Sequence, residues 1–140
     1  MADANSQSKP LPPRAVSALS KVSNWLRDDI ADFQTLKNTK ICKNIQGLAD
    51  ITAELMRGFA AEVKFTSSEN RVTAIRFDEP AIVPVDEGWV VDLIPVHIMG
   101  GIAKVNNSEI KLVNYARLRE GAEVSGQFFA VLLLSRLADE

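Results

Sequence analysis

His97 is the single histidine of this chain, and imidazole is the side chain whose ordinary pKa suits proton transfer near neutral pH. A catalytic imidazole needs an orienting carboxylate or an adjacent nucleophile. The nearest acid on the same segment is Asp92, five residues away. On a regular strand an odd separation directs two side chains to opposite faces, so the pair forms no dyad. His97 therefore reads as a hydrogen-bonded structural histidine beside Leu93 and Met99. Asp92 stands among Val90, Ile94, Val96 and Ile98. It either reaches water at a sheet rim, the ordinary case, or is buried with a raised pKa.

The other candidates are weaker. Asp78-Glu79 and Asp86-Glu87 flank one short apolar segment, which spaces them roughly 17–20 Å apart at about 3.3 Å per residue. That distance suits neither a shared metal nor a glycosidase carboxylate pair, and turn chemistry explains both pairs. Lys37, Lys40 and Lys43 fall within seven residues, enough to hold a few phosphates. No aromatics are interleaved with them, so a solvated basic face is the plainer meaning. Cys42 is the single cysteine, which excludes an internal disulfide, a cysteine-built zinc site and a CxxC redox pair. A buried, inert thiol is the common state of such a residue. Walker, GxGxxG, GxSxG, HExxH and EF-hand spacings are all absent from the sequence, so no catalytic residue, cofactor or metal is expected.

The elements that would position these residues follow from hydrophobic period. Residues 1–13 read as a disordered tail, rich in polar residues and ending on Pro12-Pro13, which bars an earlier helix start. From Arg14 to about Lys37, Val16, Leu19, Val22, Leu26, Ile30, Phe33 and Leu36 recur at helical spacing, which predicts one long amphipathic helix. A second is predicted from about Cys42 to Ala61, with Gly58 marking close helix packing or an early end. The period then changes to two. Glu62–Ser67 and Arg71–Phe77 read as a hairpin. Ala81–Val85 reads as a short strand, placed at an edge by Pro84. Trp89–Met99 and Ile102–Val105 read as strands broken at Gly100-Gly101, and Glu109–Leu118 alternates cleanly. The run FFAVLLL within Glu123–Leu137 fits helix or strand, and the tight turn before it favours strand.

Length and composition frame this pattern. A chain of 140 residues with 46% hydrophobic and 24% charged residues has the make-up of one globular domain. Folding at this size buries roughly 70% of the extended chain's surface. Residues 14–140 are therefore expected to form a single α+β domain: two N-terminal amphipathic helices packed on a mainly antiparallel, curved sheet of about six to seven strands. The N-terminus lacks a signal-peptide core and no apolar run has membrane-spanning length, so a soluble, cytoplasmic protein without membrane contact is expected. The layout is similar to cystatin-like and hot-dog architectures only as an arrangement, with no residue motif behind it.

Charge is divided along the chain. Residues 1–43 hold seven Lys/Arg against four Asp, and residues 44–140 hold nine basic against fourteen acidic residues. A basic helical part and an acidic sheet suit self-association or an anionic partner. Trp89–Met99 and Phe128–Leu134 are apolar on both faces. One helical layer covers one face, and a bare second face exceeds what monomers tolerate. The leading expectation is a non-enzymatic interaction protein, an adaptor, assembly factor or small structural subunit. It would be a homodimer meeting through a sheet face at Trp89, Val91, Leu93, Phe128 and Phe129. The rival to the dimer is a barrel-like sheet that closes over its own core. Two further functional readings stand beside the interaction protein. One is a small-ligand binder or enzyme with an apolar pocket between helices and sheet near Trp89, His97 and Met99. The other is a nucleic-acid-binding accessory protein using the basic helices.

Overall fold

A computed structural model describes residues 8–28, 32–36, 39–62 and 70–136. Two helices and nine strands run β1 (Ser8–Pro10), α1 (Pro13–Leu26), β2 (Phe33–Leu36), β3 (Thr39–Cys42), α2 (Ile45–Glu62), β4 (Asn70–Phe77), β5 (Ala81–Val83), β6 (Trp89–Val105), β7 (Ser108–Glu109), β8 (Asn114–Leu118) and β9 (Ala122–Arg136). The sheet is antiparallel in the order β1-β8-β6-β9-β4-β3-β2, with β5 added to β9 and β7 to β6. It is larger than the six or seven strands expected. The helices are also not grouped ahead of it, since β1 precedes α1 and the β2–β3 hairpin separates the two.

α1 begins as the prolines dictate. Pro12 O accepts hydrogen bonds from the N–H groups of Ala15 and Val16 at 2.9 and 3.1 Å, and Pro13 sits where no N–H is needed. Ala15, Ala18, Leu19, Val22 and Leu26 form its buried stripe. The helix stops at Leu26, well short of the expected Lys37. Phe33 and Leu36 continue the helical spacing but lie on β2, paired with Cys42 and Thr39. Tertiary pairing overrides the local period there, and Phe33 meets the Phe129 ring edge-on at 5.6 Å. At the start of α2, the Asn44 side-chain oxygen accepts the Gly47 N–H at 3.0 Å, an N-terminal cap. Where the helices meet, a Cβ on Gly58 would stand 2.6 Å from Ala15 N. Only glycine permits that approach.

The expected disordered tail is in part a strand. Ser8–Pro10 pairs with β8, and Leu11 behind it is buried. Residues 1–7 lie outside the described residues, as do 63–69, which carry most of the expected Glu62–Ser67 strand. The expected break at Gly100-Gly101 is instead a bend within one 17-residue strand, and Ala122–Arg136 is a strand, as the turn before it suggested, while residue 137 lies outside the described residues. Only Asn114–Leu118 of the expected 109–118 strand pairs as β8; Val113 has a positive φ of 70° just before it.

β6 and β9 pair along their length, with register shifts between Pro95 and His97, Ile98 and Gly100, and Gly100 and Lys104. Beside these bulges Gly126 has φ 103°, and a Cβ there would lie 2.7 Å from Ile102 O. Glycine is required for both reasons. The bend turns the far ends of β6 and β9, with β5 and β7, back over the sheet. Ala103, Val105, Ala122, Val124 and Val83 thereby join Val91, Leu93, Phe128, Ala130 and Leu132 in one buried cluster. The opposite face packs Ile94, Val96, Phe129, Val131 and Leu133 under Leu19, Val22, Leu48, Leu55 and Phe59 of the helices. The strands apolar on both faces are thus covered on both faces within one chain. The sheet closing over its own core is the arrangement found, and the bare face that motivated the homodimer does not exist at the centre.

Candidate functional site

Most residues singled out for a contact are packed inside. Val91, Leu93 and Phe128 lie in the core between the two halves of the sheet, where Phe128 stacks on Phe77 at 5.0 Å. Phe129 faces the opposite way, under the helices. Trp89 is half-buried at the strand's start, with the Arg71 guanidinium 5.5 Å from its ring. These five therefore do not form one surface.

Asp92 takes the less ordinary of its two readings: it is fully buried. Arg117 on β8 grips both carboxylate oxygens, Nε to Oδ1 at 2.8 Å and Nη2 to Oδ2 at 3.1 Å. Burial pushes the Asp92 carboxyl up, and the Arg117 hydrogen bonds and charge pull part of that back. The partner lay 25 residues away, beyond any single-strand reading. A signal existed in the chemistry, since Asp92 and Arg117 are lone charges in otherwise apolar stretches of two strands. With a neutralising partner and both oxygens used, the pair braces β6 to β8.

His97 stands elsewhere. The register shift after Pro95 moves it off the Leu93–Met99 face on which a regular strand would put it. Its ring lies 6.2 Å from that of Phe129, on the helix side. Partial burial, with the Arg27 charge, lowers its pKa, so the neutral imidazole prevails at pH 7. Cys42 is buried, its Sγ directed at Asn44 O at 3.9 Å. Burial raises its pKa, which makes it a poor nucleophile.

Cavities open on both faces of the β3–β4 strand pair, whose members are joined through α2. Period-two alternation gives the faces of the pair different characters. The cross-strand pairs Thr39–Phe77 and Ile41–Ile75 bracket the pair Lys40–Arg76. On the first face a cavity of about 590 Å³ opens between β3–β4 and β5, walled by Ile41, Ile75, Phe77, Ala81, Ile82 and Val83, with Thr39, Pro80, Pro84 and Glu123 also lining it. It is the mouth between the two halves of the folded sheet. Ile82 on its rim is 72% exposed. This cavity lies between sheet and sheet, not between helices and sheet where a pocket was expected.

On the second face a polar cleft of about 450 Å³ is lined by Leu26, Arg27, Asp28, Asp32, Phe33, Thr35, Lys40, Arg76 and Phe129. Asp78 anchors two of its cations, Arg76 Nε at 3.0 Å and Lys40 Nζ at 3.4 Å. The Arg76 guanidinium lies 5.5 Å from the Phe129 ring. Of the three lysines expected to bind anions, Lys40 lines this cleft, Lys43 is exposed beyond it, and Lys37 is outside the described residues. The fold thus gathers Lys40, Phe129 and the neighbouring His97, and leaves Asp92 and Trp89 apart. Among the described residues no group of three or more His, Cys, Asp or Glu is placed to hold a metal, and no helix is long and apolar enough to cross a membrane.

No protein-family model matches the sequence, and no curated protein matches it. In structure the chain is similar to a prolyl-4-hydroxylase of Pseudomonas putida, with a TM-score of 0.55, 9% sequence identity and coverage of 96% of this chain and 94% of that one. At that identity the likeness is one of fold: a large, mainly antiparallel sheet accompanied by helices.

Proposed function

We propose that this chain is a non-enzymatic binding protein that takes a small, neutral, largely apolar molecule into the mouth between β3–β4 and β5. The observation that carries this reading is the 590 Å³ cavity itself. It falls in the usual size range of ligand sites, and its wall is apolar with a few polar groups at the margin. Glu123 and Thr39 supply those groups. A carboxylate at the rim disfavours anionic ligands and accepts from a hydroxyl or amide. Isothermal titration and thermal unfolding with 1-octanol and with octanoate test it. Octanol is expected to raise the unfolding midpoint and octanoate to do so less, since ligand at 100 times its Kd stabilises by about 2.7 kcal/mol. Ile41→Asp is expected to remove the effect while leaving the fold intact. No shift with octanol, or an equal shift in Ile41→Asp, would overturn the reading.

A second reading keeps the interaction protein and homodimer but moves the contact. β5 pairs with β9 on one side only, and its central Ile82 is exposed. An unpaired edge with an apolar side chain invites a second copy to add there. Light scattering decides it: a dimer that Ile82→Lys dissociates supports the reading, and a monomer at high micromolar concentration ends it. The nucleic-acid reading draws little support, because Lys40 is already engaged by Asp78.

A further inference from the structure

From the polar cleft on the other face of the β3–β4 strand pair we infer a second binding site, independent of the mouth, for a small planar monocarboxylate. Three cations line it, Arg27, Lys40 and Arg76, and each is held differently. Arg27 donates through Nε to Ser23 O at 3.4 Å and through Nη2 to Asn24 Oδ1 at 2.7 Å, which fixes it at the end of α1. Arg76 is fixed more fully. Asp78 takes its Nε, and its guanidinium carbon lies 5.5 Å from the Phe129 ring centroid, so among the described residues its two terminal amino groups are left to form the fork that grips a carboxylate. Arg76 and Lys40 share the single charge of Asp78, and that group of three keeps one positive charge in excess.

The rest of the lining narrows the class of ligand. Phe33 and Phe129 meet edge-on at 5.6 Å, giving an apolar wall beside the cations and favouring a planar body attached to the anion. Asp28 and Asp32 also line the cleft, so its total charge is balanced and a polyanion meets repulsion as well as attraction. One negative charge matches the local excess at Lys40 and Arg76; two or three, in a cleft balanced as a whole, do not. His97, against Phe129, feels the Arg27 charge, which makes it a reporter of charge entering the cleft. It is also the single histidine in the chain, so its imidazole proton resonance is unambiguous.

The experiment follows the His97 resonance of the full chain while phenylacetate, phenylacetamide or inorganic phosphate is added. Phenylacetate is expected to give a saturable shift and to raise the His97 titration midpoint. Phenylacetamide should give neither, and phosphate a weaker response. Arg76→Gln is expected to weaken phenylacetate binding about tenfold or more, and Arg27→Gln to weaken it less; both are checked for native circular dichroism. Ile41→Asp should leave the response unchanged, which separates this site from the mouth. No saturable response to phenylacetate, an equal response to its amide, or undiminished binding in both arginine variants would overturn the inference. Tighter binding of phosphate would overturn the assignment to a monocarboxylate.

Discussion

The centre of the sheet and its β3–β4 pair are both antiparallel strands of one sheet, yet one is sealed and the other open. At the centre, β6 and β9 place Ile94 and Val131 under the helices and Leu93 and Leu132 under the folded-over strands, all of them buried. At the β3–β4 pair, α1 has ended and the folded-over strands reach only as far as β5, so cavities remain on both faces. The lesson is about cover. Apolar strands announce a need for shelter, and whether a partner meets that need depends on how far the chain's own elements extend.

Breaking the centre should cost the most. Arg117→Met leaves the fully buried Asp92 carboxylate without its cation, and loss of one partner of a buried pair costs about 3–5 kcal/mol. The sign with pH is definite. Without Arg117 the folded-state pKa of Asp92 rises further above its unfolded value, so the folded state holds the proton more tightly. Stability of the variant is then greatest below the unfolded carboxylate range and falls as pH rises through that window. Urea titrations at pH 4 and pH 7 read both effects. Asp92→Asn should cost less, because Arg117 is 22% exposed and its charge can turn to water.

Next comes a direct contrast of the two regions. Leu93→Ala opens a cavity in the sealed core and should cost about 2–5 kcal/mol. Ile82→Ala at the open mouth should change stability by no more than about 0.5 kcal/mol. Equal effects in chemical denaturation would erase the distinction between centre and mouth. Gly58→Ala should fall between them, at about 1–3 kcal/mol, because its new methyl meets the Ala15 backbone rather than a side chain that can move.

The smallest effect concerns His97. Its folded-state pKa is lowered, so the unfolded chain binds more protons and stability is lost as pH falls below the ordinary imidazole range. His97→Gln is expected to flatten that part of the stability profile in thermal unfolding between pH 5 and 7. A profile unchanged by the substitution would remove the Arg27 field from the account of the polar cleft.

Much of the sheet was legible because its pattern is local. The β4, β6 and β9 segments alternate or run apolar where they are covered on both sides. Glu123, Ser125 and Gln127 mark the outward side of the half of β9 that no helix shelters. The end of α1 was not legible, because Phe33 and Leu36 keep helical spacing while pairing with β3. The folding-over was not either. It rests on bulges and on Gly126, whose lack of a Cβ matters only once β6 lies against it. Of the sites, Lys40, His97 and Phe129 were named from sequence, but as members of different features. A bulge after Pro95 and the register of β3 on β4 bring them to one neighbourhood. Arg27 was named only as part of a basic helical face and Asp78 only as turn chemistry, and Arg76 was missed, since a charge on a strand carries no mark of the cleft it borders.

Methyl NMR of the isoleucine- and leucine-labelled chain during a 1-octanol titration tests most directly whether the binding surface lies at the mouth between β3–β4 and β5. Saturable shifts at Ile41, Ile75 and Ile82, with Leu93 and Leu132 unmoved, are the predicted result. Shifts centred on Leu93 and Leu132 would show that the central core opens to ligand, and would contradict the account.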